Sequence, residues 1–118
     1  MKVSIIGAGK VGIAYAVFLA SKGHDVTVID KNEEYVKTLN DGTFETNEPG
    51  VKDGLHKIKK FTIIDEVKSD ICILIVDTPT CYAGYDHTNL EYILKNVVGR
   101  HEMIIVSCTT QPGFLKQW

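Results

Sequence analysis

Apolar and polar residues follow two different periods along this chain. Short continuous apolar runs are typical of parallel strands that are buried on both faces, and apolar residues three or four positions apart are typical of helices. We assign strands to residues 3–6, 26–29, 61–64, 71–76 and 103–106, with helical segments between most of them. This alternation predicts an α/β fold.

The helical segments carry apolar stripes and end markers. The first segment ends at Gly23, and the second begins at the capping residue Asn32 and ends near Gly42. Residues 51–58 suggest a further short helix. The stripes that we expect to face the core are Val11, Ala14, Tyr15, Phe18 and Leu19 in the first helix and Leu90, Ile93, Leu94, Val97 and Val98 in the last.

The last of these helices begins with the pattern of a capping box. Thr88 is the expected cap, and the side chain of Glu91 is expected to reach back to it. Residues 77–87 before it are rich in turn formers and predict a loop, and residues 65–70 leave room for about one helical turn. Residues 107–118 predict a loop with the start of a helix.

Right-handed crossovers between these strands predict a Rossmann-like, doubly wound parallel sheet of about five strands, in the order 3-2-1-4-5, with helices on both faces. Ligands of such sheets bind beyond the carboxyl ends of the strands, where the strand order reverses. The candidate chemistry of this chain falls at that edge, in residues 7–12, 30, 77–80 and 107–113.

A glycine-rich turn joins the first strand to the first helix. In the sequence from Gly7 to Gly12, Gly7 allows a sharp turn, Gly9 leaves room for a pyrophosphate, and Gly12 lets the helix pack close to the strand. Lys10 and Val11 then contribute backbone N–H groups to the positive end of the helix. This arrangement predicts a dinucleotide site, and the alternative is a turn whose glycines serve packing alone.

The second strand ends in an acidic residue, Asp30, which is placed to accept hydrogen bonds from both hydroxyls of a ribose. Its carboxylate would repel a 2′-phosphate, so it favours NAD over NADP as the cofactor. Lys31 follows it, either as a neighbour of the ribose that weakens this preference or as a solvated surface lysine.

Composition narrows the function classes. The 118 residues suit one domain and carry a formal charge of −2, which gives no basic surface for nucleic acid or for an anionic membrane. No apolar run is long enough to span a bilayer, and the first residues do not form a signal peptide. The three cysteines have no metal-binding spacing, so we expect no metal, reduced thiols and a cytoplasmic location. Cys108, near the expected cleft, is the candidate for reactivity.

Four motifs in order resemble the N-terminal NAD-binding domain of the UDP-glucose/GDP-mannose dehydrogenase family. The resemblance covers residues 1–118. The motifs are the glycine turn through Asp30, the sequence EPGV at residues 48–51, VDTP at residues 76–79 and CTTQPG at residues 108–113. The last three correspond to the EPGL, VPTP and STVPPG sequences of the family and are more specific than the first.

The resemblance implies a nucleotide-sugar oxidoreductase, similar to UDP-glucose 6-dehydrogenase and associated with polysaccharide synthesis. The family oxidises a sugar C6 hydroxyl to a carboxylate with NAD, through a cysteine-bound intermediate. By position, Thr78 is implied as a cofactor contact. Thr109 is implied beside both the cofactor and the reacting centre, in a supporting catalytic role.

The chain also departs from the family pattern. Family members are much longer, and their nucleophilic cysteine lies in a later GFGGSCFPKD-like motif that has no counterpart here. Asp77 replaces a small or proline residue beside the cleft, and we expect Lys10, which replaces an aromatic residue, to offset part of its charge. We therefore expect this chain to form the cofactor domain of the family, without the central helical domain and the sugar-nucleotide domain. It would bind NAD, and it would act on a UDP-sugar only if those domains are supplied.

Two other functions stay open on sequence grounds. One is the NAD-binding half of a different dehydrogenase, of the 6-phosphogluconate or 3-hydroxyacid type, which shares the glycine turn. The other is a non-catalytic module that binds a dinucleotide or forms homo-oligomers through an exposed edge at residues 103–106 or through apolar helix faces.

Overall fold

The computed structural model describes residues 1–58, 60–62 and 69–118. Its strands are β1 (Lys2–Ile6), β2 (Asp25–Ile29), β3 (Lys60–Thr62), β4 (Ile71–Leu74), β5 (Thr80–Cys81), β6 (Gly84–Tyr85) and β7 (Met103–Val106). Five of them form a parallel sheet in the order β3-β2-β1-β4-β7, so the predicted Rossmann-like topology is confirmed.

Two expected segments differ in detail from the structure. The strand expected at residues 61–64 begins at Lys60, and residues 63 and 64 lie outside the described residues, as do residues 65–68 of the expected turn. The strand expected at residues 71–76 ends at Leu74, although the N–H of Ile75 still donates to the Ile6 carbonyl over 2.9 Å. The loop at residues 77–87 contains the short antiparallel hairpin of β5 and β6.

The helices are α1 (Lys10–Ser21), α2 (Glu33–Asp41), α3 (Val51–Gly54) and α4 (Thr88–Val97). Single 3-10 turns occupy Leu55–Lys57 and Phe114–Gln117. The ends of α2 are as expected, because the Asn32 Oδ1 accepts the N–H of Tyr35 over 3.0 Å and Gly42 has a φ of 75°. In the part of the chain that the structure describes, no helix combines the length and apolar character needed to cross a membrane.

Two apolar clusters hold the helices to the sheet. Alternate residues of β1 and β2 pack with α1, α2 and α3, while Cys72 and Leu74 of β4 pack with α4. Each fully buried aliphatic side chain contributes about 1.5–3 kcal/mol by leaving water. The helices therefore pack as two separate groups, one against β1 and β2 and the other against β4.

Only part of the apolar stripe expected on α1 faces the core, because Ala14 and Leu19 pack against it and the three bulkier residues do not. Val11, Tyr15 and Phe18 are 55%, 47% and 56% exposed, whereas Ile13 and Ala16 are buried with Gly12. The cause is Gly12, where an added Cβ would lie only 1.9 Å from the carbonyl oxygen of Gly7. This contact fixes the rotation of the helix and leaves the bulkier stripe outside.

The expected capping box of α4 is also wrong. Thr88 is the first residue of the helix, and the Asp86 carboxylate accepts both its N–H over 3.0 Å and its hydroxyl over 2.6 Å. These two hydrogen bonds, the hydroxyl one foremost, lower the pKa of Asp86. The Oε1 of Glu91 instead lies 3.7 Å from the Nζ of Lys95. Val98, the last residue of the expected stripe, lies beyond the helix and is 44% exposed.

Replacing Gly12 by alanine is expected to destabilise the fold by about 1–3 kcal/mol, because backbone atoms block the new Cβ. Gly9→Ala is the matched control, since no described atom lies within 4 Å of a Cβ at Gly9 and its φ is −68°. Urea unfolding of both variants measures the difference. Equal free energies of unfolding would contradict the proposed role of Gly12.

Candidate functional site

A cleft of about 590 Å³ opens at the carboxyl edge of the sheet, where the strand order reverses between β1 and β4. The glycine turn and the end of β2 form one wall, and the end of β4 and the first turns of α4 form the other. The residues that line this part of the cleft are Gly7, Gly9, Asp30, Lys31, Asn32, Val76, Asp77, Asn89, Tyr92 and Ile93.

The glycine turn has the shape that a phosphate-binding loop requires. Gly7 has a φ of 106°, and a Cβ there would meet the Ile75 carbonyl oxygen at 2.0 Å, so no side chain fits. Gly9 is the residue before α1, and the space over its Cα is open. The backbone at Gly9 is therefore open on the cleft side, at the positive end of a 12-residue helix, where anions are favoured.

Asp30 is held in place by the glycine turn itself. Its Oδ2 accepts the N–H of Ala8 and its Oδ1 accepts the N–H of Asn32, each over 2.9 Å. A carboxylate has about four acceptor positions, so both oxygens keep capacity for the hydroxyls of a ribose. The acid that the sequence analysis assigned to the ribose therefore lines the cleft in a fixed orientation.

Tyr35 supports the same turn and was not predicted from the sequence. Its hydroxyl donates to the carbonyl of Ala8 over 2.5 Å, so the Ala8 residue is bonded through both its N–H and its carbonyl. Burial, and then the charge of Asp30, raises the pKa of Tyr35. The spacing from Asn32 to Tyr35 predicts only a first helical turn and gives no sign of this contact.

Two predicted residues lie away from the cleft wall. The Nζ of Lys10 is 3.2 Å from the Oε1 of Glu48, and both side chains flank a shallow groove beside the exposed stripe of α1. The Lys10 ammonium is therefore paired with Glu48, and the structure does not show the expected compensation of Asp77 by Lys10. Val11 belongs to the same exposed face, and neither residue is among the described residues that line the cleft.

The two motifs that follow β4 and β7 are bonded to each other. The hydroxyl of Thr78 donates to the carbonyl of Thr109 over 2.6 Å. The N–H of Gln111 donates to the Nε2 of His87 over 3.1 Å, and the ring of His87 stacks on Phe114 with a centroid distance of 4.0 Å. Thr78 and Thr109 thus lie together, and neither is among the described residues that line the cleft.

Cys108 does not have the surroundings of a nucleophile. Its Sγ lies 3.3 Å from both the N–H of Val76 and the carbonyl of Leu74, and burial raises the pKa of the thiol. Burial also raises the pKa of Cys72 to about 12. Cys81 is the exposed thiol among the three cysteines. Their arrangement is consistent with structural roles for Cys72 and Cys108.

Ellman's reagent at mildly alkaline pH is therefore expected to label Cys81 rapidly and the other two thiols only after unfolding. The Cys81→Ser variant provides the control, since it should lose the fast phase completely. A fast phase that survives in this variant would show that Cys108 or Cys72 is reactive in the folded chain.

Comparisons with known proteins agree with this geometry. Residues 1–118 match the NAD-binding domain of the UDP-glucose/GDP-mannose dehydrogenase family. The UDP-glucose 6-dehydrogenase of Rhizobium meliloti is 33% identical over 79% of this chain and 23% of its own length. The UDP-N-acetyl-D-mannosamine dehydrogenase of Pyrococcus horikoshii is 28% identical over 96% of this chain and 29% of its own length.

Comparison with solved structures gives the same family. The solved structure of the Pyrococcus horikoshii UDP-D-ManNAc dehydrogenase has a TM-score of 0.84 and 26% identity over 99% of this chain and 30% of that structure. The chain thus spans less than a third of the length of these relatives. The match decides against the 6-phosphogluconate and 3-hydroxyacid dehydrogenases as its family. The chain belongs to the UDP-glucose/GDP-mannose dehydrogenase family and corresponds to its NAD-binding domain.

Proposed function

We propose that this chain holds NAD in the cleft between the glycine turn and α4, as the cofactor domain for oxidation of a nucleotide sugar. The observation that carries the proposal is the open backbone at Gly9 beside Asp30, whose carboxylate is fixed by the N–H of Ala8. When bound, NAD supplies the nicotinamide that accepts a hydride from an alcohol.

Each part of the cleft suits one part of the cofactor. The backbone from Gly7 to Gly12, including the N–H groups of Lys10 and Val11, would hold the pyrophosphate at the helix N-terminus. Asp30 would accept the ribose hydroxyls, with Lys31 next to it. Thr78 and Thr109, joined by their hydrogen bond, would lie toward the nicotinamide, with Thr109 in a supporting catalytic role.

The substrate side of the reaction would come from further polypeptide. The UDP-glucose 6-dehydrogenase and UDP-N-acetyl-D-mannosamine dehydrogenase relatives are more than three times as long as the region they share with this chain. Within residues 1–118, Cys72 is buried and Cys108 is half-buried, and none of the three cysteines lies in a glycine-rich motif. We therefore propose that further polypeptide binds the sugar nucleotide and supplies the cysteine thiol that holds its oxidation intermediate, while the alcohol carbon of the sugar gives its hydride to the NAD held here.

Calorimetric titration of the purified chain with NAD is expected to show weak saturable binding. Gly9→Val should still fold, since space is open at Gly9, but its side chain would fill the pyrophosphate position. A loss of at least about tenfold in affinity, equivalent to about 1.4 kcal/mol, is expected. The chain is not expected to reduce NAD with UDP-glucose alone.

Gly9→Ala provides a graded control, expected between the original chain and Gly9→Val in affinity. Equal NAD affinity in the original chain and Gly9→Val would contradict the proposed pyrophosphate position. Reduction of NAD by the 118-residue chain with UDP-glucose would contradict the proposed need for further polypeptide.

We also propose that copies of the chain associate through β7. Among the described strands, β7 pairs with β4 alone, and its residues Met103 and Ile105 are 54% and 40% exposed. A strand edge presents unpaired N–H and carbonyl groups to a further strand, and here its side chains are apolar. A second copy of the chain would offer the same edge in return.

Light scattering is expected to show a mass that rises with protein concentration above that of a monomer of 13.1 kDa. Ile105→Lys should reduce this rise, because charged residues on an edge oppose pairing. Tyr92→Lys, which also adds a charge at an exposed apolar residue but lies on α4, is the control. A constant monomeric mass at all concentrations would contradict association through this edge.

A further inference from the structure

A hydrogen bond crosses the mouth of the cleft between Lys31 and Asn89. The Nζ of Lys31, in the residue after Asp30, donates to the Oδ1 of Asn89 over 3.3 Å. Asn89 lies in the first turn of α4, and both residues line the cleft. The bond therefore ties the wall that carries the ribose-binding acid to the opposite wall.

The charges around this bond are unevenly placed. Asp30 and Asp77 lie on opposite walls of this part of the cleft. Among the described lining residues, the fixed cations are Lys31 and Arg100, and Arg100 lies beyond the C-terminal end of α4. Eight helical residues, about 12 Å, separate that end from Asn89. Of the lysine and arginine side chains among these lining residues, Lys31 is therefore the one placed to reach a group bound beside Asp30.

We infer that the bond from Lys31 to Asn89 determines how strongly this site discriminates between NAD and NADP. This inference rests on the proposed function. A 2′-phosphate requires a cation beside the ribose, and a basic side chain near the ribose-binding acid supplies it in NADP-binding proteins. Asn89 holds the Lys31 ammonium across the cleft, which leaves the carboxylate of Asp30 to repel the phosphate.

Asn89 is thus a positioning residue that acts through Lys31. Without its amide oxygen, the lysine side chain is free to turn toward the ribose and to compensate the charge of a 2′-phosphate. NAD has no group at that position that gains from the movement. The ratio of the two dissociation constants, NADP over NAD, therefore reports on the bond, whereas a general disturbance of the cleft would weaken both cofactors together.

The test is calorimetric titration of the full chain with NAD and, by displacement of NAD, with NADP. The variants are Asn89→Ala, Lys31→Ala and the double variant. Asn89→Ala is expected to lower the ratio at least about fivefold, equivalent to about 1 kcal/mol. Lys31→Ala should not lower it, and Asn89→Ala should have no effect on it in the Lys31→Ala background. Lys95→Ala, which removes an α4 lysine outside the cleft lining, should leave the ratio unchanged.

Two results would overturn the inference while NAD binding stands. One is an unchanged ratio in Asn89→Ala, and the other is a lowered ratio that persists when Lys31 is absent. Failure of the original chain and of every variant to bind NAD would instead overturn the proposed function, and the inference with it.

Discussion

The contact between Gly12 and the carbonyl of Gly7 is the constraint on which the rest of the structure depends. A Cβ at Gly12 would lie 1.9 Å from that oxygen, so α1 approaches the end of β1 at a distance that only glycine permits. This approach fixes the rotation of α1, buries Ile13 and Ala16, and turns the stripe of Val11, Tyr15 and Phe18 outward. It also places the open backbone of Gly9 at the edge where the strand order reverses.

A small polar network then makes this edge rigid. Asp30 at the end of β2 and Tyr35 in α2 bond the N–H and the carbonyl of Ala8, so three successive elements meet at one residue. The bonds from Thr78 to Thr109 and from Gln111 to His87 connect the loops after β4 and β7 in the same way. These bonds hold the loops that surround the cleft to one another, and groups that are held in place lose less conformational freedom when a ligand binds.

Much of this organisation follows from local sequence, and the rest depends on distant contacts. Continuous apolar runs and the glycine turn predict the sheet order and the position of Asp30. The spacing of apolar residues cannot by itself identify the buried face of α1, because apolar residues occupy both of its faces. The close contact at Gly12 decides which face is buried. Asp86 and Thr88 are both residue types that favour helix starts, and the sequence does not show that the Asp86 carboxylate accepts the N–H of Thr88. The bonds of Tyr35 and Lys31 join residues 27 and 58 positions apart, so no local pattern reveals them.

If the glycine turn and the acid at the end of β2 together form the cofactor site, backbone amide chemical shifts recorded during an NAD titration will locate it. The largest shift changes are expected at residues 7–12 and 30–32, with smaller changes at the start of α4. The changes at residues 7–12 are expected to disappear in Gly9→Val. Saturable changes confined to another surface, or the same changes in Gly9→Val, would contradict this location of the site.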